Sequence, residues 1–264
     1  MIVVPPRGVT LKLARAREQL GQIGETLEAF SRAHIDGVTP VGHLDGRVLT
    51  LRLPEDIGEL DENVSIAIGE LVHNLRSGLD QMTFALLESN IPNLSVDAAR
   101  IEQLRSLSQF PICDDQAWFD RFVARRCAGL SPRALDVLER FQPFYGGRNP
   151  VGDSLWCLRE LSNVDKHRLV NPVISVLHSA SVRIQTNPIQ VPHWCVWNSG
   201  PLQGDAVLVK VIFPNHPGQA AVRTIGGVAV ALYKDTTLLG DVHSVLTNIY
   251  TRTNVAIDQM VLAL

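Results

Sequence analysis

Apolar residues recur every three to four positions over residues 10–35. Leu11, Leu13, Ala16, Leu20, Ile23, Leu27 and Phe30 form one stripe with charges between them, which predicts an amphipathic helix. The period then shortens to two. Leu49, Leu51 and Leu53 alternate with Val48, Thr50 and Arg52, which predicts a strand over 47–53 with one buried face, closed by Pro54. Helical spacing returns over 56–90, as one long helix or two broken near Asp61-Glu62-Asn63. Shorter helices are expected over 97–106 and 115–127, the second capped by Asp114 or Asp115. Ser131 followed by Pro132 is a helix start, and Pro143 is its stop. Asp153 caps a helix expected to run from Ser154 to about Leu169.

From residue 173 the pattern changes to strands at 182–187, 206–213 and 227–233, separated by turns rich in Pro, Gly and Asn. Residues 236–263 read as a final helix. A single strand at 47–53 cannot form a sheet alone, so it is expected to pair with the later strands. The fold class is therefore α+β. Long antiparallel helices pack with a small antiparallel sheet built from an N-terminal strand and C-terminal strands. One domain over 1–264 is expected, with a helical part at 10–170, a strand-rich part at 173–235 and a helix at 236–263.

A chain of 264 residues buries roughly 70–75% of its unfolded surface, and its 45% hydrophobic content supplies the core. Charged side chains are frequent up to residue 170 and sparse after it. The net charge of −3 gives no global attraction to nucleic acid or anionic lipid. No apolar run is long enough for a membrane span, and the prolines in MIVVPPRG argue against a signal peptide. The cysteines, Cys113, Cys127, Cys157 and Cys195, form no C-x-x-C pair, so free thiols in a reducing cytoplasm are expected. The Gly226-Gly227 pair lacks the helix start and lysine of a phosphate loop.

Candidate chemistry sits on two predicted helices. ELVHNLRSGLDQ, residues 70–81, puts His73, Arg76 and Asp80 on one face, opposite a stripe of Val64, Ile68, Leu71, Leu75, Leu79, Met82 and Leu86. Ile66, Phe84 and Leu87 flank that polar trio, which makes the helix look covered on both sides. Residues 155–169 carry Glu160, Asn163 and His167 on one face beside Trp156. Asp165 projects into their apolar stripe, within reach of Arg168. If the helices face each other, His73, Arg76, Asp80, Asn163, Asp165 and His167 are the candidate catalytic set. One imidazole would deprotonate a ribose 2′-hydroxyl, the other would protonate the leaving oxygen, and Arg76 would stabilise the phosphorane. A divalent metal held by His73, Asp80, Glu160 and His167 is an alternative. A buried polar network that sets helix register is another. The reading carried forward has no metal and no cofactor.

The segments GELVHNLRSGLDQ, FPI, GLSPRALDVLERFQPF and LWCLRELSNVDKHRL resemble a group of actinobacterial proteins with no established activity, over most of residues 10–170. More loosely, the long helices with polar inner faces resemble HEPN domains, over the helical half of the chain. That resemblance implies a bacterial homodimer that binds or cleaves RNA without metal, using an Arg followed four to six residues later by His. Arg76 matches the Arg, but the position five later holds Gln81. The imidazole would then come from His73 or His167, or the chain is not such a nuclease. The alternative function is a non-enzymatic interaction or small-ligand-binding module whose buried polar network is structural.

Overall fold

The structure is a computed structural model that describes residues 4–35, 41–166, 168–198 and 200–264. The chain is α+β. Its helices are α1 (Arg7–His34), α2 (Glu62–Asn90), α3 (Ala98–Leu107), α4 (Gln116–Arg126), α5 (Pro132–Arg140), α6 (Ser154–Asp165) and α7 (Val242–Val261). The strands are β1 (Val41–Asp45), β2 (Val48–Arg52), β3 (Val173–Asn187), β4 (Trp194–Trp197), β5 (Pro201–Leu202), β6 (Val207–Ile212), β7 (Gln219–Lys234) and β8 (Thr237–Asp241). Two compact units emerge. The first joins Met1–Ile23, Ser65–Val170 and Ser244–Leu264, and the second joins Gly24–Val64 and Asn171–His243.

In the helical unit, local sequence sets the helix ends. The side chains of Asp97, Asp115, Ser131 and Asp153 accept hydrogen bonds from the backbone N–H groups of Arg100, Trp118, Ala134 and Leu155. Each satisfies one of the donors that a helix start leaves open. The predicted α2 stripe is the core: Ile68, Leu71, Leu75, Leu79 and Met82 are fully buried. Leu155, Leu158 and Leu161 of α6 and Leu246, Ile249 and Met260 of α7 are buried as well. The other side of α2 is not covered as expected. Leu87 is buried, but Ile66 and Phe84 are 46% and 40% exposed, so the helix has one apolar face and not two.

In the strand-rich unit, β2 pairs with β6 in antiparallel register, Leu49 opposite Val211 and Leu51 opposite Val209. The early strand thus joins the late ones, as its isolation required. Two four-stranded antiparallel sheets result, with orders β1-β2-β6-β4 and β5-β3-β7-β8. Leu49, Leu51, Leu53, Leu208, Val211 and Phe213 form one apolar cluster, against which Ile174, Ile184 and Val228 pack. The strand β1 was not foreseen. Gly46, at φ +56°, makes the tight turn that folds it back on β2. The start of the last helix also moves. Residues 237–241 pair with β7 as β8, because Asp235 takes a left-handed conformation at φ +52° and turns the chain. The helix α6 stops at Asp165 rather than near Leu169. Among the described residues, no helix is long and apolar enough to cross a membrane.

Leu51 is fully buried in the strand cluster. Leu51→Ala is expected to cost about 2–5 kcal/mol, read as a lower urea midpoint at unchanged slope. A loss below about 1 kcal/mol would contradict the burial assigned to β2.

Candidate functional site

The polar residues of α2 divide between two neighbours. Glu70 and Asn74 face α1. Gln19, itself 2% exposed, donates to the Glu70 carboxylate at 2.7 Å and accepts from the Asn74 amide at 3.0 Å. Lys12 closes the chain of bonds by donating to Asn74 at 3.1 Å. One turn along, Arg76 and Asp80 form an ion pair at 3.1 Å. Both also bind the peptide groups of Phe110. Arg76 donates to the Phe110 carbonyl at 2.6 Å, and Asp80 accepts from the Phe110 N–H at 2.9 Å.

That contact has a clear cause. Phe110, Pro111, Ile112 and Cys113 are buried but belong to neither helix nor strand. Their backbone groups have no ladder to join, and an unpaired buried peptide group is costly. Side chains replace the ladder. Gln142, fully buried, donates to the Pro111 carbonyl at 3.0 Å and accepts from the Cys113 N–H at 2.9 Å. Arg159 donates to the Ile112 carbonyl at 3.2 Å.

A cleft of about 330 Å³ opens beside this segment. Its lining includes Arg76 and Phe110 on the floor, Trp118 and Phe122 from α4, and Arg159, Ser162 and Asn163 from α6. Trp118 and Phe122 are four residues apart and so share a helix face. Arg159 lies over the Trp118 ring at 5.0 Å and bridges Asp114 at 2.9 Å and Glu160 at 2.7 Å. Burial opposes the charge on Arg159, but the bonds to Asp114 and Glu160 outweigh it and raise its pKa. At the mouth stands Lys166, exposed. The side chains of Ser162, Asn163 and Lys166 have no hydrogen-bond partner among the described residues.

The candidate residues therefore separate. Arg76 and Asn163 line one cleft, and Asp80 holds Arg76 in place. His73 is exposed on α2 and does not line that cleft. Asp165 turns toward α2, where its carboxylate fills the space that a Cβ on Gly69 would need. His167 lies outside the described residues. Glu70 and His73 do stand at the E-x-x-H spacing that helical metal sites use, but Glu70 is committed to Gln19. Among the described residues, no cluster of three or more His, Cys, Asp or Glu side chains is placed to hold a metal ion. The pattern did not announce Trp118, Phe122, Gln142 or Arg159. The i, i+4 pair of aromatics on α4 was the one available signal.

The cysteines are all free. Burial pushes the thiols of Cys113 and Cys127 up to about 12 and that of Cys157 up to about 11, whereas Cys195 is exposed. Native protein treated with iodoacetamide at pH 8 is expected to alkylate at Cys195 alone. A pKa near 11 leaves roughly a hundredfold less thiolate than an ordinary thiol has, and burial blocks access as well. Peptide mass mapping reads the outcome, and fast labelling of Cys113 would refute the packing around Phe110.

Gly69→Ala should also destabilise the chain, by about 1–2 kcal/mol, because its Cβ displaces the Asp165 carboxylate. In an Asp165→Ala background the same change should be neutral or stabilising by up to about 1 kcal/mol, the usual helical gain of Ala over Gly. Additive effects in a thermal-melt double-mutant cycle would exclude the contact.

No protein-family model, curated protein or solved structure matches this chain, so a functional reading rests on its own residues.

Proposed function

We propose that the chain is a non-enzymatic small-ligand-binding module, in which the polar residues of α2 are structural and the cleft between α4 and α6 receives the ligand. One observation carries this reading. Arg76 and Asp80 spend their hydrogen bonds on each other and on the two peptide groups of Phe110. An arginine that stabilises a transition state must have donors free to meet charge as it develops. Arg76 is 14% exposed and gives Nε and Nη2 to Asp80 and the Phe110 carbonyl, which leaves Nη1 as its one nitrogen with no partner among the described residues. Of the cleft groups with no side-chain partner among the described residues, Ser162 and Asn163 can donate and accept hydrogen bonds and Lys166 can donate, and none of the three is a histidine or a carboxylate.

A second reading has one favourable observation. Arg121 and Arg125 are exposed one turn apart on α4, the helix that supplies Phe122, which suits a polyanion. On that reading the chain is an RNA-binding or RNA-cleaving protein of the HEPN type. It would need an imidazole brought to Arg76.

The two readings diverge for Arg76→Ala and Asp80→Ala. A structural pair predicts that each variant loses about 2–4 kcal/mol, because a buried peptide group and a partly buried charge are left unpaired. The melting temperature should fall by several degrees. The parent protein should leave RNA intact without added metal. Metal-free nicking that disappears in Arg76→Ala at unchanged melting temperature would overturn the structural reading and support the nuclease.

A further inference from the structure

We infer that the strand-rich unit holds a second binding site, for an organic ammonium with an apolar body; it stands independently of the cleft between α4 and α6. The site is a cavity of about 610 Å³, within the range of small-molecule sites. Every residue that lines it belongs to the strand-rich unit. Ile57, Leu202 and Val230, all buried, supply apolar lining together with Val173 and Ile174. The Phe30 ring is already against His34, at 4.9 Å between centroids, so it closes the cavity rather than offering a stacking face. Glu55, Asp56 and Glu59 also line the cavity and are exposed. No Lys or Arg lines it. The chain has none between Leu53 and Leu75, and Arg52, just before, is paired with Asp205 at 3.1 Å.

The lining charge is therefore of one sign. Three carboxylates within five residues repel one another, and a cation relieves that repulsion. The carboxylates alone would be a solvated rim. The apolar hollow beside them gives the body of a ligand somewhere to leave water. A bare metal ion fits less well. Among the described residues, no three carboxylates or other ligating side chains are placed to hold one, so the charge suits a bulky ammonium that need not be met at a single point. The wall is set before a ligand arrives. The Leu53 N–H donates to the Ala206 carbonyl at 2.9 Å, and the Asp205 N–H donates to the Pro54 carbonyl at 3.1 Å. Gly204 lies so close to the Glu55 carbonyl that a Cβ would not fit. Gly58, at φ +69°, leaves room for the His34 ring, and its N–H donates to the Asp56 carboxylate at 3.0 Å. Little reorganisation is needed on binding.

The probes are 2-cyclohexylethylamine, the neutral 3-cyclohexylpropionamide, and ethylamine, titrated into the full chain by calorimetry at pH 8 and low salt, with backbone amide shifts locating the site. The cyclohexyl amine should bind and shift Ile57, Leu60 and Val173. The amide should bind about three- to tenfold more weakly, the scale of one exposed ion pair, and added salt should narrow that difference. Ethylamine should not bind, because it has no body to bury. Glu55→Gln combined with Glu59→Gln should erase the difference between amine and amide without lowering the melting temperature, since both side chains are exposed. Equal affinity of the parent for amine and amide would overturn the charge assignment. Ethylamine binding as tightly as the cyclohexyl amine would overturn the role of the cavity. Displacement of the amine by millimolar calcium would overturn the choice of an organic cation. Absence of amine binding at millimolar concentration, or shifts confined to other residues, would overturn the inference altogether.

Discussion

Four residues, Phe110 to Cys113, impose the constraint on which the helical unit depends. They are buried, and Pro111 cannot donate to any ladder. A buried peptide group without a partner costs on the order of 1–3 kcal/mol, and this segment exposes several of them to the interior. The chain meets that cost with Arg76 and Asp80 from α2, Gln142 after α5 and Arg159 from α6. Three separate stretches of sequence thereby converge on one irregular strip of backbone. Apolar packing alone would let these helices slide by a turn. Directional bonds to fixed carbonyls do not, which is why polar residues persist inside an otherwise apolar unit.

The same logic explains the second polar contact of α2. Gln19, Glu70 and Asn74 form a small amide–carboxylate chain between α1 and α2, with Lys12 at its open end. Each group answers another, so the cost of burying Gln19 is met by two bonds. The α2 helix is thus pinned on one side to α1 and on the other to Phe110. His73, between Glu70 and Asn74 in sequence, belongs to neither contact and is exposed to solvent. The polar island on this helix is two structural contacts plus one exposed imidazole.

Much of the fold could be read from the sequence because it is governed by local rules. The stripe from Val64 to Leu86 specified the core face of α2, and Ser131–Pro132 and Asp153 specified two helix starts. The isolation of the Leu49–Leu51–Leu53 strand forced its pairing with late strands, which β6 supplies. What escaped depends on partners distant in sequence. Nothing near Arg159 says that its guanidinium will bind the Ile112 carbonyl 47 residues away. Nothing near Gln142 predicts that its amide replaces a ladder for Pro111 and Cys113. The turn at Asp235 was missed because an Asp at positive φ is uncommon, so Leu238 and Leu239 were counted into a helix. For the candidate site, the pattern found Arg76 and Asn163 but assigned them chemistry from residue type alone.

The division between structure and function runs along α6. At its buried end Leu155, Leu158 and Leu161 pack, and Arg159 is consumed by Asp114, Glu160 and a carbonyl. One turn later Ser162 and Asn163 line the cleft with no side-chain partner among the described residues, and Lys166 follows, exposed. Groups already saturated by the protein can give a ligand little new bonding. Unsaturated groups gain a partner, provided the walls hold still. Here arginines bonded elsewhere in the unit hold the walls: Arg159 braces Trp118, and Arg126, bonded to Gln109 at 2.9 Å, lies over the Phe122 ring. On the proposed ligand-binding reading, the last turn of α6 supplies the open polar groups of the cleft, and the turn before it braces the walls.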